Sequence, residues 1–96
     1  DRAVIDSTPS TVSNYGCPEN YDPVANLPTD ASGLLLISGD RDRVVTAEDS
    51  SALLAAAAAR GARSVRSPDF AHPFMDKDPA VALARRRLIQ EFLVGH

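Results

Sequence analysis

Several features that mark particular classes of protein are missing from this chain of 96 residues. No apolar run approaches the ~20 residues that a membrane-spanning helix needs. No signal-peptide pattern opens the sequence. The formal net charge is −3, whereas domains that bind nucleic acids usually carry a basic surface. We therefore expect neither a membrane span nor a nucleic-acid partner.

Cysteine is almost absent as well. Cys17 is the only one, so no disulfide can form within the chain. A free thiol and a bridge to another polypeptide both stay open, and with them a cytoplasmic or a secreted location. No His, Cys, Asp and Glu side chains have the spacing of metal ligands, and no glycine-rich phosphate loop occurs. We therefore expect no metal and no cofactor.

The composition is that of a folded domain, with 44% apolar and 24% charged residues. A chain this short forms one small domain at most and buries only a modest core. It opens at Asp1 without a methionine. We interpret residues 1–96 as a fragment, or as one chain of a cleaved precursor, belonging to a single larger domain.

The apolar pattern alternates between strands and helices. Residues 3–5 and 34–37 are short apolar runs, and the unbroken run at 34–37 is typical of a strand covered on both faces. Residues 64–66 can form a further short strand. The segment from Thr46 to Asp49 resembles a capping box, the alanines that follow favour a helix, and Gly61 marks its end. This alternation predicts an α/β fold with a parallel sheet and helices on its faces.

A final helix is predicted from Asp78-Pro79 to Gly95. Its apolar residues have nearly the spacing of one helix face: Val81, Leu83, Ala84, Leu88, Phe92 and Leu93. The basic run at residues 85–87 is interpreted as a solvated helix face, with a phosphate patch as the alternative. Asp22-Pro23 can begin a short helix over residues 23–27. The rest of residues 10–32 is predicted to be a loop, and a cap over a site is the alternative.

Two loops follow predicted strands and carry polar residues. Residues 39–45 contain Asp42, and residues 67–74 contain His72. In an open parallel sheet, functional side chains collect at the carboxyl ends of the strands. Because the intervening helix returns the chain to the same end, Asp42 and His72 are predicted to lie close together.

These residues resemble the α/β-hydrolase family. The acid loop of that family commonly has the pattern Gly-x-x-Asp-x-x-Val, which Gly39, Asp42 and Val45 match, and Ala71-His72 is similar to its histidine loop. The resemblance implies that residues 1–96 are the C-terminal part of the hydrolase sheet, about three strands with flanking helices. It also implies that Asp42 orients the catalytic imidazole and that His72 is the base. Esterases and dienelactone hydrolases are the similar members.

The family's nucleophile motif, Gly-x-Ser-x-Gly, occurs nowhere in the chain. Gly16-Cys17-Pro18 does not replace it, because a proline after the nucleophile removes a possible oxyanion-hole N–H. The resemblance places the nucleophile upstream. The expected partner is therefore the N-terminal portion of the same hydrolase, and the expected substrate is a small-molecule ester.

Each candidate residue has a simpler alternative. Asp42 can be a turn residue that binds its own backbone, and Asp40 is the rival acid. His72 can be a surface histidine. Phe70 and Phe74, with Met75, can line a substrate pocket or pack in the core. The remaining candidates are interpreted as loop or terminal residues: Tyr15, Cys17, Asp69 and His96. Tyr15 and Cys17 can alternatively belong to a cap.

The function predicted is that of a Ser-His-Asp hydrolase acting on ester-like bonds through an acyl-enzyme. Thioesterases, peptidases, lipases, dehalogenases and lyases share the fold, so the fold alone does not choose the reaction. The alternative is a non-catalytic binding or assembly module with a Rossmann-like or flavodoxin-like sheet. Receiver-type modules of this kind need a lysine at a strand end, and the one lysine, Lys77, is not at such a position. A nucleotide-binding module needs a glycine-rich first turn, which is also lacking.

Overall fold

A computed structural model describes residues 2–10 and 22–95. Within them the chain forms strand β1 (Ala3–Asp6), strand β2 (Leu34–Gly39), helix α1 (Ala47–Ala59), strand β3 (Arg63–Ser67) and helix α2 (Pro79–Val94). The predicted order of strands and helices is thus confirmed. Among the described residues, none of the helices is sufficiently long and apolar to cross a membrane.

The three strands form one parallel sheet in the order β1-β2-β3. Ile5 is opposite Leu36 in the register of β1 and β2, and Leu36 is opposite Ser64 in that of β2 and β3. The central strand is the unbroken apolar run, and its residues 35–39 are all buried. The lack of alternation in this run predicts a parallel sheet that is covered on both faces, and the strand pairing confirms it.

The two helices cover opposite faces of the sheet. On one face, Leu35 and Ile37 pack with Phe70 and with Phe92 of α2. On the other, Leu36 packs with Leu53 and Ala57 of α1. Successive side chains of a strand point to opposite faces, so β2 contributes to both clusters. Burial of these clusters supplies the main favourable free energy of folding.

The helix ends match their predicted signals. The Thr46 hydroxyl accepts a hydrogen bond from the Asp49 N–H at the start of α1, 3.2 Å away, and the Asp78 carboxylate accepts one from the Ala80 N–H at the start of α2, 2.9 Å away. Helix α1 ends just before Gly61 and α2 just before Gly95, which has a left-handed backbone with φ of 92°. These side chains and glycines satisfy backbone groups that a helix end leaves unpaired.

The short helix predicted over residues 23–27 does not form. The Asp22 carboxylate does accept from the N–H groups of Val24 and Ala25, as an N-cap would. Only a single turn follows, closed by the bond from the Asn26 N–H to the Asp22 carbonyl. Pro28 has no N–H and disfavours a helical conformation at the residue before it, so the turn is not extended.

The buried face of α2 also differs from the predicted one. Leu83 and Leu93 are 40% and 49% exposed. The residues that face the sheet are Val81, Arg85, Leu88, Ile89 and Phe92. Their spacing is still helical, but the stripe is rotated so that an arginine takes a core-facing position.

Candidate active site

The loops after β2 and β3 are joined by backbone hydrogen bonds. The Asp40 N–H donates to the Ser67 carbonyl, 2.9 Å away, and the Arg41 N–H donates to the Phe70 carbonyl, 3.0 Å away. Gly39 makes this approach possible, because a Cβ on it would lie 2.1 Å from the Phe70 oxygen. The first residue of the Gly-x-x-Asp pattern is thus a glycine because the histidine loop crosses over it.

The two loops bring Asp42 and His72 into contact. The His72 Nδ1 atom lies 2.9 Å from Asp42 Oδ2, although the residues are 30 positions apart. A carboxylate can only accept, so Nδ1 carries a proton and its N–H donates a hydrogen bond to Asp42. The Nε2 atom of the neutral ring then presents a lone pair. This is the tautomer that a general base requires.

The Asp42 carboxylate is held from both sides. Its side chain is fully buried, and Oδ1 accepts hydrogen bonds of 2.8 Å from the N–H groups of Val44 and Val45. Burial by itself raises the pKa of Asp42, but the bonds from Val45, His72 and Val44 hold the pKa below the ordinary aspartate value. Asp42 therefore shapes the turn with one oxygen and orients the imidazole with the other, and stays ionised near neutral pH.

The imidazole is partly open to solvent. The His72 side chain is 28% exposed. The backbone carbonyl of His72 accepts a hydrogen bond from the Met75 N–H in a tight turn. Within residues 2–10 and 22–95, no group is hydrogen-bonded to Nε2.

Asp40, the rival acid, pairs with Arg66 rather than with His72. Its Oδ1 atom is 2.5 Å from Nε of Arg66 on β3, and both side chains are exposed to solvent. An ion pair of this kind on the surface contributes little to stability. The geometry favours Asp42 over Asp40 as the partner of the imidazole.

The two phenylalanines have different surroundings. Phe70 is 6% exposed and belongs to the cluster under α2, the core-packing alternative. Phe74 is fully exposed, with φ of 68°. A cleft of about 700 Å³ opens beside His72, and neither phenylalanine lines it. Besides His72 itself, seven of the eleven described residues that line it have ionisable side chains: Asp40, Arg41, Arg43, Asp69, Asp76, Lys77 and Asp78.

Arg85 is a buried charge in this region. The prediction of a solvated face holds for Arg86 and Arg87, which are exposed, and is wrong for Arg85, which is 6% exposed. Its guanidinium lies 3.3 Å from Asp6 Oδ2 and 3.3 Å from Asp76 Oδ2. The sequence feature that indicates burial of Arg85 is its position four residues after Val81 and seven before Phe92, on the helix face that meets the core.

Comparison with family models, with curated proteins and with solved structures found no significant match. The site therefore has to be judged on its own geometry. Among residues 2–10 and 22–95, no three His, Cys, Asp or Glu side chains are grouped so that they could hold a metal ion. Tyr15, Cys17 and His96, with residues 11–21 of the predicted loop, lie outside the described residues.

Proposed function

We propose that Asp42 and His72 are the acid and base of a Ser-His-Asp hydrolase that acts on ester-like bonds. In this proposal residues 1–96 are the C-terminal part of an α/β-hydrolase domain. The serine lies on polypeptide outside these 96 residues, the N-terminal portion of the same enzyme. The observation that carries the proposal is the 2.9 Å bond from His72 Nδ1 to the buried Asp42 carboxylate, with no partner for Nε2 among residues 2–10 and 22–95.

The chemistry follows from that arrangement. His72 Nε2 takes the proton of the serine hydroxyl as the serine oxygen bonds to the ester carbonyl carbon. The imidazolium is stabilised by Asp42 and gives the same proton to the departing alcohol, leaving an acyl-enzyme. Water then loses a proton to Nε2 as its oxygen attacks the acyl carbon. That proton returns to the serine oxygen as the carboxylic acid is released.

Two neighbouring carboxylates provide a matched test. In the native protein that contains these residues, Asp42→Asn is expected to lower kcat for a nitrophenyl ester by on the order of 10⁴, because the imidazole loses its orienter. Asp40→Asn is expected to keep kcat near the wild-type value, because its carboxylate pairs with Arg66 instead. Circular dichroism checks that both variants are folded.

Other outcomes would contradict the proposal in different ways. A large loss in Asp40→Asn with little change in Asp42→Asn would move the acid to Asp40. An unmodified native protein that turns over no ester, thioester or amide would favour the alternative of a non-catalytic binding or assembly module.

A further inference from the structure

Arg85 of α2 reaches the histidine loop on both sides of His72. One guanidinium nitrogen donates a hydrogen bond to the Ala71 carbonyl, immediately before His72. Its Nε lies 3.3 Å from the carboxylate of Asp76, four residues after His72. The guanidinium carbon is also 4.7 Å from the centre of the Phe70 ring, within the range of a cation–π interaction. One side chain thus contacts residues 70, 71 and 76.

The same side chain connects this loop to the end of β1. Arg85 is 3.3 Å from Asp6 Oδ2, and Asp6 Oδ1 accepts a 2.8 Å bond from the Ser7 hydroxyl. The Ser7 N–H is bonded in turn to the Ile37 carbonyl of β2. Arg85 therefore fixes the histidine loop to the rigid sheet, which also positions the Asp42 turn.

Ala71 is held at both of its backbone groups. Its carbonyl accepts from Arg85, and its N–H donates to Asp76 Oδ1 over 2.7 Å. Asp76 thus bridges the loop and the guanidinium with its two oxygens. Because Ala71 precedes His72 directly, fixing this peptide restricts where the imidazole can lie.

Stability alone does not account for an arginine at this position. The position faces the sheet between Val81 and Leu88, where apolar side chains in place of Arg85, Asp6 and Asp76 together would pack without the cost of burying charges. Replacing buried ion pairs by apolar residues is often neutral or stabilising. What an apolar residue cannot supply is a set of directed polar contacts to two separate segments, the histidine loop and the end of β1, which the planar guanidinium provides.

We propose that Arg85 is a positioning residue for His72. By holding residues 70–76 against the end of β1, it keeps the imidazole on the Asp42 carboxylate. This role rests on the proposed hydrolase function. It predicts that Arg85 affects the chemical step rather than substrate binding.

Arg2 offers a matched control at the other end of α2. It donates to the Phe92 carbonyl, 2.8 Å away, and lies 5.0 Å from the Phe92 ring. It thus makes the same two kinds of contact as Arg85 without touching the histidine loop. Arg86, which neighbours Arg85 and is exposed, provides a second control for the loss of a charge.

The test measures esterase kinetics in the native protein, with active sites counted by a phosphonate that labels the serine. For Arg85→Met, kcat per titrated site is expected to fall on the order of 100-fold, with KM near the wild-type value, because small misplacements of a catalytic group cost rates of that order. Arg2→Met and Arg86→Met are expected to retain kcat per titrated site, whatever their effect on thermal stability.

Amide hydrogen exchange gives a readout that does not depend on activity. In Arg85→Met, the Ala71 and Met75 N–H groups are expected to exchange faster while the β2 amides keep their protection. Arg2→Met is expected to leave the Ala71 rate unchanged. If Arg85→Met does not fold, Arg85→Lys replaces it, since lysine keeps the charge without the planar fork. The same direction of change is expected for it.

Three results separate the two proposals. Wild-type kcat per titrated site in the folded Arg85 variant, with unchanged Ala71 exchange, would overturn the positioning role and leave the hydrolase proposal intact. An equal loss of kcat in Arg2→Met would also overturn it, by showing that docking of α2 is the cause. A wild-type protein without a labelled serine and without ester turnover would overturn the hydrolase proposal and the role that rests on it.

Discussion

Replacing Gly39 by alanine would put a Cβ atom 2.1 Å from the Phe70 carbonyl oxygen, 2.7 Å from its carbon and 2.8 Å from the Phe70 Cβ. All three distances are shorter than nonbonded atoms tolerate, and two of the atoms belong to the backbone, which cannot rotate away. The histidine loop must therefore move off β2. The bond from the Arg41 N–H to the Phe70 carbonyl is lost with that movement.

The magnitude follows from those two effects. Overpacking costs about 1–3 kcal/mol, and a lost backbone hydrogen bond costs about 1 kcal/mol. We expect Gly39→Ala to lower the free energy of unfolding by about 3 kcal/mol. Because His72 moves with the loop, we also expect kcat to fall. Urea denaturation and ester turnover of the native protein measure the two effects.

Gly61→Ala is the matched control. A Cβ at Gly61 meets nothing closer than 3.6 Å, but φ is +95°, so alanine pays only a left-handed backbone strain of about 1–2 kcal/mol. It should lose some stability and no activity. A Gly39→Ala protein as stable and active as wild type would show that the loops do not meet as described.

Three further results are expected. The pKa of Asp42 is lowered in the folded state. Its ionised form therefore contributes stability that is present above the ordinary pKa and disappears as the pH falls through the lowered value. The difference in unfolding free energy between wild type and Asp42→Asn should shrink below about pH 4. Phe70→Ala should lower the free energy of unfolding, measured by urea denaturation, by about 3–5 kcal/mol. Phe74→Ala should change neither stability nor the KM for the ester. A raised KM in Phe74→Ala would place that side chain in a substrate pocket. Asp78→Ala should lower stability by about 1 kcal/mol through loss of the α2 cap; unaltered stability would contradict the capping bond.

Local patterns were sufficient for most of the fold. The unbroken run in β2 and the cap at Asp78 depend on neighbours in the sequence, and both are confirmed. The single turn after Asp22 shows the limit, since a good cap does not extend a helix that Pro28 interrupts. The contact between the loops depends on Gly39, whose need for glycine becomes visible only when the Phe70 backbone lies above it.

Charges on α2 were harder to place. Arg85, Arg86 and Arg87 are adjacent and chemically identical, so composition predicts the same solvated environment for all three. Their burial differs because the helix face is set by packing against the sheet, and this face runs from Val81, which is partly buried, to Phe92, which is buried. The partners of Arg85, Asp6 and Asp76, come from distant parts of the chain, and no pattern within α2 points to them.

The most direct test of the central claim is to react the native protein with a fluorescent alkyl phosphonate and locate the adduct by mass spectrometry. The account predicts one labelled serine, on polypeptide outside these 96 residues, and a rate of labelling that falls steeply in His72→Gln. An adduct on a residue of this chain, or labelling that is as fast without the imidazole, would contradict it.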